Sequence, residues 1–107
     1  MKYQLKELKS HEVFPGFHGR FIHTDRMTLA FWEVTKGSSV PEHNHHHEQV
    51  VNMLEGEFEL VVEGVLHRLT PGIIVTVPAQ ARHSGKAISD CRILDIFSPV
   101  REDYVLK

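Results

Sequence analysis

The chain has 107 residues, a formal net charge of −2 with histidine neutral, 41% hydrophobic and 24% charged residues. This is ordinary globular composition for one domain, residues 1–107, without the basic excess of a dedicated nucleic-acid binder, and its small core makes a homodimer the expectation. No apolar run nears the roughly 18–20 residues of a membrane span, Met1 to Glu7 hold no apolar signal-peptide core, and Cys91 is the single cysteine; a cytoplasmic protein without intrachain disulfides is expected.

The segment at 3–9 fits a short helix or an edge strand equally well. Residues 27–34 (MTLAFWEV) predict a strand, on which Phe31 and Trp32 face opposite ways, so that one of them is available to a dimer interface. A second strand is predicted at 49–54, ended by Glu55-Gly56-Glu57. Runs at 58–62 and 65–69 flank Glu63-Gly64, a hairpin turn. Thr70-Pro71-Gly72 is a further turn, 73–77 is a β-branched strand, and 78–82 is a loop. A last strand is predicted at 91–97, stopped before Pro99. No segment of ten or more residues has a helical apolar period. Many short strands in so short a chain must close into a barrel or stack as a sandwich.

Histidine is the unusual residue: there are nine, four of them between positions 43 and 47. On an extended chain His43, His45, His47 and Gln49 share one face, because side chains alternate with a period of two. Neutral imidazole is a common ligand for Fe, Ni, Zn and Cu. His83, just beyond a proline-led loop, offers a third imidazole. Three imidazoles and an amide oxygen would leave coordination positions open, as catalytic sites do. A solvated histidine-rich loop is the competing reading, and His47 competes with Gln49 for the fourth ligand position. By parity His46 and Glu48 point the other way.

Gly37, five residues, His43-Asn44-His45, three residues, Gln49, six residues and Gly56 together resemble the first cupin motif, with Gln49 where that motif normally carries Glu. Gly72, five residues, Pro78-Ala79-Gln80, two residues and His83 resemble the second. It departs at Gln80, where the family usually has Gly, and at Ala87, where it usually has Asn. The two motifs span 37–56 and 72–87, and the fifteen residues between Gly56 and Gly72 resemble the spacing of compact microbial cupins. The resemblance implies an all-β fold, a six- to eight-stranded double-sheet jelly-roll barrel of the RmlC-like type. It also implies one divalent transition metal (Fe, Mn, Ni, Co or Zn) on His43, His45, Gln49 and His83. Loss of the carboxylate would weaken metal binding and sharpen the metal's Lewis acidity.

On the last strand Cys91, Ile93, Asp95 and Phe97 share a parity. Arg92 sits on the other face and suits solvent, which leaves Asp95 pointing inward. A carboxylate in an apolar interior is costly unless paired or functional. The runs His43-x-His45-x-His47-Glu48-Gln49 and 95–104 (DIFSPVREDY) look like the KdgF type of cupin. That resemblance implies linearisation of 4,5-unsaturated uronates from pectin or alginate, with Asp95, Phe97 and Arg101 lining the active site. Arg101 would hold the carboxylate of a carbohydrate-acid substrate; a surface arginine is its alternative reading. Other activities compatible with the scaffold are a metal-dependent dioxygenase or a small-molecule-binding cupin without catalysis.

Overall fold

Alternating burial along four strands builds the interior. Thr28, Ala30, Trp32 and Val34 point inward from one strand, and Gln49, Val51 and Met53 from a second. Phe58, Leu60 and Val62 do so from a third, and Cys91, Ile93, Asp95 and Phe97 from the fourth. A computed structural model describes residues 1–105. Its strands are His11–Phe14 (β1), Phe17–His23 (β2), Thr28–Val34 (β3), Ser39–His43 (β4), Glu48–Glu55 (β5), Phe58–Val62 (β6), Val65–Leu69 (β7), Ile74–Val77 (β8), His83–Ala87 (β9) and Cys91–Ser98 (β10). A 3₁₀ turn at Leu5–Glu7 precedes them, and a short helix, Glu102–Val105 (α1), follows.

The strands form two antiparallel sheets. One has the order β1-β2-β3-β10-β5-β8 and the other β4-β9-β6-β7. The six- to eight-strand expectation is therefore exceeded: ten strands are present among the described residues. The apolar runs at 27–34, 49–54, 58–62, 65–69, 73–77 and 91–97 coincide with β3, β5, β6, β7, β8 and β10, with Met27 and Ile73 one residue outside their strands. The strands not anticipated are β1, β2, β4 and β9. β4 (SVPEH) and β9 (HSGKA) are polar and contain Pro or Gly. Pro41 is tolerated because β4 is an edge strand. Gly85 is required on β9 because a Cβ there would overlap the Phe58 ring. At the tip of the β6–β7 hairpin, Glu63 (φ 47°) and Gly64 (φ 77°) both take positive φ, as a two-residue turn of this kind demands.

β10 lies between β3 and β5, with Asp95 opposite Ala30 on one side and Val51 on the other. Phe97 lies opposite Thr28 and Gln49. In the second sheet His43 pairs directly with His83, after an irregularity in β4 between Val40 and His43. The histidines and the Asp95 row therefore approach one interior from opposite sheets. No helix among the described residues is long and apolar enough to cross a membrane.

Candidate metal centre

His43 ends β4, His83 opens β9, and His45 lies in the loop between β4 and β5. Their ligand nitrogens all lie within 4.8 Å of one another. The backbone orients each ring. Nδ1 lies 2.9 Å from the Pro41 carbonyl in His43, 3.1 Å from the His47 carbonyl in His45, and 2.9 Å from the Ala81 carbonyl in His83. A carbonyl only accepts, so Nδ1 carries the proton in all three rings, and each Nε2 presents a bare lone pair. Burial holds the His45 pKa down at about 4, helped by the Arg101 charge and by His83. Burial likewise lowers that of His83.

Gln49 lies beside this group, next to His45. Its Oε1 lies 3.2 Å from the Nε2 of His45, which has no proton to share. Two acceptors therefore face each other, a contact that a cation between them would turn favourable. The amide nitrogen favours the Asp95 carboxylate on the other side, which leaves the oxygen for the histidines. The donor set fits a divalent transition metal on these grounds. The parity argument reached Gln49 by way of an uninterrupted strand, but the chain leaves strand geometry over 44–47 and bends at His46-His47. His47 stays close to the triad, its ring 5.4 Å from that of His45, but it is not one of the three converging imidazoles, and its Nε2 donates to the Val100 carbonyl at 3.2 Å. His46 and Glu48 are exposed.

Gln80 shows how a departure from the motif is accommodated. Its φ is +66°, the left-handed region that favours glycine. Its backbone N–H donates to the His45 carbonyl at 2.7 Å, and its Oε1 accepts from Asn44 Nδ2 at 3.0 Å. The loop before His83 is thereby bound to the loop that carries His45.

One cavity between the sheets is lined by His43, His83, Gln49, Asp95, Phe97 and Arg101. Trp32 and Tyr104 line it as well. Asp95 is 9% exposed; its Oδ2 accepts from the Trp32 indole N–H at 3.0 Å, while Oδ1 has no hydrogen-bond partner. Burial raises its pKa to about 6. Trp32, Arg101 and Gln49 oppose the rise, Gln49 from a position that completes no hydrogen bond of full geometry.

Arg101 is buried rather than exposed. Its Nε and Nη2 donate to the two Asp103 oxygens at 3.0 and 2.8 Å. Its guanidinium carbon sits 4.7 Å from the centre of the Phe97 ring and 4.2 Å from that of Tyr104. Its backbone N–H donates to Thr28 Oγ1 at 2.9 Å, which fixes the tail against the start of β3. Burial works against the Arg101 charge, but Asp103 outweighs it and the pKa rises. Burial also pushes the Tyr104 hydroxyl up to about 12.

Sequence reasoning does not place two of these residues in the site: it does not single out Tyr104, and it considers Trp32 only for a dimer interface. Tyr104 lies in the tail run, and only the folding back of α1 brings it to the cavity. Trp32 shares the face of Ala30, opposite Asp95, so the pairing register alone would have found it.

A double-sheet fold with an inward triad of imidazoles defines a cupin, and the chain belongs to the Cupin_2 family (Cupin domain), which matches residues 30–97. Among solved structures it is similar to KdgF from Halomonas sp., with 28% identity, a TM-score of 0.92 and 97% of each chain covered. It is also similar to an RmlC-like cupin from Shewanella frigidimarina, with 28% identity, a TM-score of 0.88, and coverage of 92% of this chain and 90% of that one. The polyketide cyclase RemF from Streptomyces resistomycificus shares the fold at 23% identity, with a TM-score of 0.81 over 92% of this chain and 78% of its own. Comparison with curated proteins gives no match.

Proposed function

We propose that the protein is a metal-dependent cupin enzyme that converts 4,5-unsaturated uronates, released from pectin or alginate, into their open-chain keto forms. The observation that carries this reading is a single cavity joining two imidazoles of the triad, His43 and His83, a buried carboxyl with an unpartnered oxygen and an arginine, with the His45 ligand nitrogen within 4.8 Å of the other two. The likeness to KdgF over 97% of both chains supports the substrate class, as does the 95–104 run.

His43, His45, His83 and Gln49 Oε1 would hold a divalent transition metal, which supplies Lewis acidity toward substrate oxygens. Arg101 commits Nε and Nη2 to Asp103, which leaves Nη1 to grip the substrate carboxylate. Phe97 and Tyr104 bracket the guanidinium, keep it desolvated and give the sugar a flat wall. The enol-to-keto step moves one proton from oxygen to a ring-derived carbon, with no other atom gained or lost. Asp95 Oδ1 is the group that carries this proton. A carboxyl titrating near 6 is poised to hold and release a proton near neutral pH.

The test is a freshly generated 4,5-unsaturated galacturonate followed by the ultraviolet absorbance of its double bond, with metal-replete protein and a no-enzyme control. Decay faster than the control is expected, and it should be lost on chelation and in His83→Ala. Decay at the spontaneous rate with metal bound would refute the substrate assignment.

A further inference from the structure

His47, which is not one of the triad, has an unexplained feature of its own. The side chain is 5% exposed. Because the Val100 carbonyl takes the Nε2 proton, Nδ1 is a bare lone pair, and it is buried with no hydrogen-bond partner. Buried acceptors of this kind are normally satisfied by a donor or a cation. The His46 ring lies beside that of His47, with 3.9 Å between centroids. Glu102, the first residue of α1, brings a carboxylate to the same place. The three side chains offer ligand atoms within 4.8 Å of one another.

We propose that His46, His47 and Glu102 form a second metal site, separate from the triad, that takes a borderline divalent transition ion such as Zn²⁺ or Co²⁺. Two imidazoles and a carboxylate form a donor set such ions accept, with water in the remaining position. His46 and Glu102 are exposed, so their side chains are free to close to bond lengths of about 2.0–2.2 Å around a fixed His47. The ion would join the loop between His45 and Gln49 to the helix that follows Arg101. Occupancy would thus tie the triad's loop to the tail that completes the cavity. This inference does not depend on the proposed reaction.

The test is calorimetric titration of the metal-free full chain with Zn²⁺, with Co²⁺ absorption as a second readout of imidazole ligation. Wild type should take two ions per chain. His46→Ala and Glu102→Gln change exposed side chains. Each should weaken one of the two ions about tenfold or more, because loss of an outer-shell partner alone costs about 10–100-fold, and should leave the other unchanged. His83→Ala should remove that other ion. A single ion abolished by Glu102→Gln would support this site and count against the triad. A single ion lost only in His83→Ala, or two ions indifferent to both His46→Ala and Glu102→Gln, would overturn the proposal.

Discussion

Asp95→Asn separates the chemistry of the cavity from its cost to the fold. Burial raises the Asp95 pKa from 3.8 to about 6. The folded protein therefore binds this proton more tightly than the unfolded chain does. The stability that goes with it is fully present below pH 3.8 and is lost as the pH rises through about 6. At about 1.36 kcal/mol per unit of pKa, the ionised carboxylate costs about 3 kcal/mol at pH 8. Asn does not titrate and keeps an oxygen for the Trp32 N–H. Its own NH₂ inherits the unpartnered position of Oδ1, a penalty that is the same at every pH. The stability of the variant relative to wild type should therefore be about 2.5 kcal/mol higher at pH 8 than at pH 4, with most of the change between pH 4 and 7. Urea unfolding of metal-free protein across that range, with chelator present, measures the difference directly. A difference that does not change with pH would refute the desolvated carboxyl, and with it the proton-handling role. The same variant should lose uronate turnover while its stability relative to wild type rises with pH.

Three further outcomes follow from the geometry. Arg101→Lys gives up the two-point contact with Asp103 and the stacking between Phe97 and Tyr104. The KM for unsaturated galacturonate should rise about 10–100-fold, the worth of a charged hydrogen bond, while metal stoichiometry by elemental analysis stays at the wild-type value. Gln80→Gly relieves a left-handed backbone that costs a non-glycine residue about 1–2 kcal/mol, but it loses the Asn44 hydrogen bond, worth about 0.5–1.5 kcal/mol. Thermal unfolding should thus shift by only a few degrees, and a large loss would show that the Asn44 bond governs the loop. Gly85→Ala forces a methyl group into the Phe58 ring. It should destabilise the fold by about 1–3 kcal/mol, the usual cost of overpacking, as read from the urea midpoint.

The readable part of the fold consists of strands whose own residues alternate or run apolar. β3, β5, β6 and β10 declare themselves by alternation, because each buries one face of its own side chains, and β7 and β8 by their apolar runs, although Val65, Leu66 and Ile74 are exposed. β4 and β9 do not. Their hydrogen bonds to each other, and those of β9 to β6, hold them in the sheet, and their polar residues either face solvent, as Ser39, Glu42 and Lys86 do, or belong to the centre, as His43 and His83 do. The triad was legible for a related reason. Two motifs place His43, His45 and His83 at characteristic spacings, and metal ligation demands those residue types. The orientation of His47 was not legible. A strict period of two holds only while the chain stays extended, and the bend at His46-His47 breaks it.

The sequence by itself determined the class of fold, the imidazoles that converge, and an inward carboxyl on the last strand, because these follow from local alternation and motif spacing. Tertiary structure alone decided that Trp32 binds Asp95, that Gln49 turns its oxygen to His45, and that Tyr104 and Phe97 enclose Arg101. Those contacts join residues as many as 63 positions apart across a strand register, or depend on a tail folded back onto the sheets. Neither the register nor the path of the tail is encoded within any one segment. Both are set by packing two sheets around a single interior.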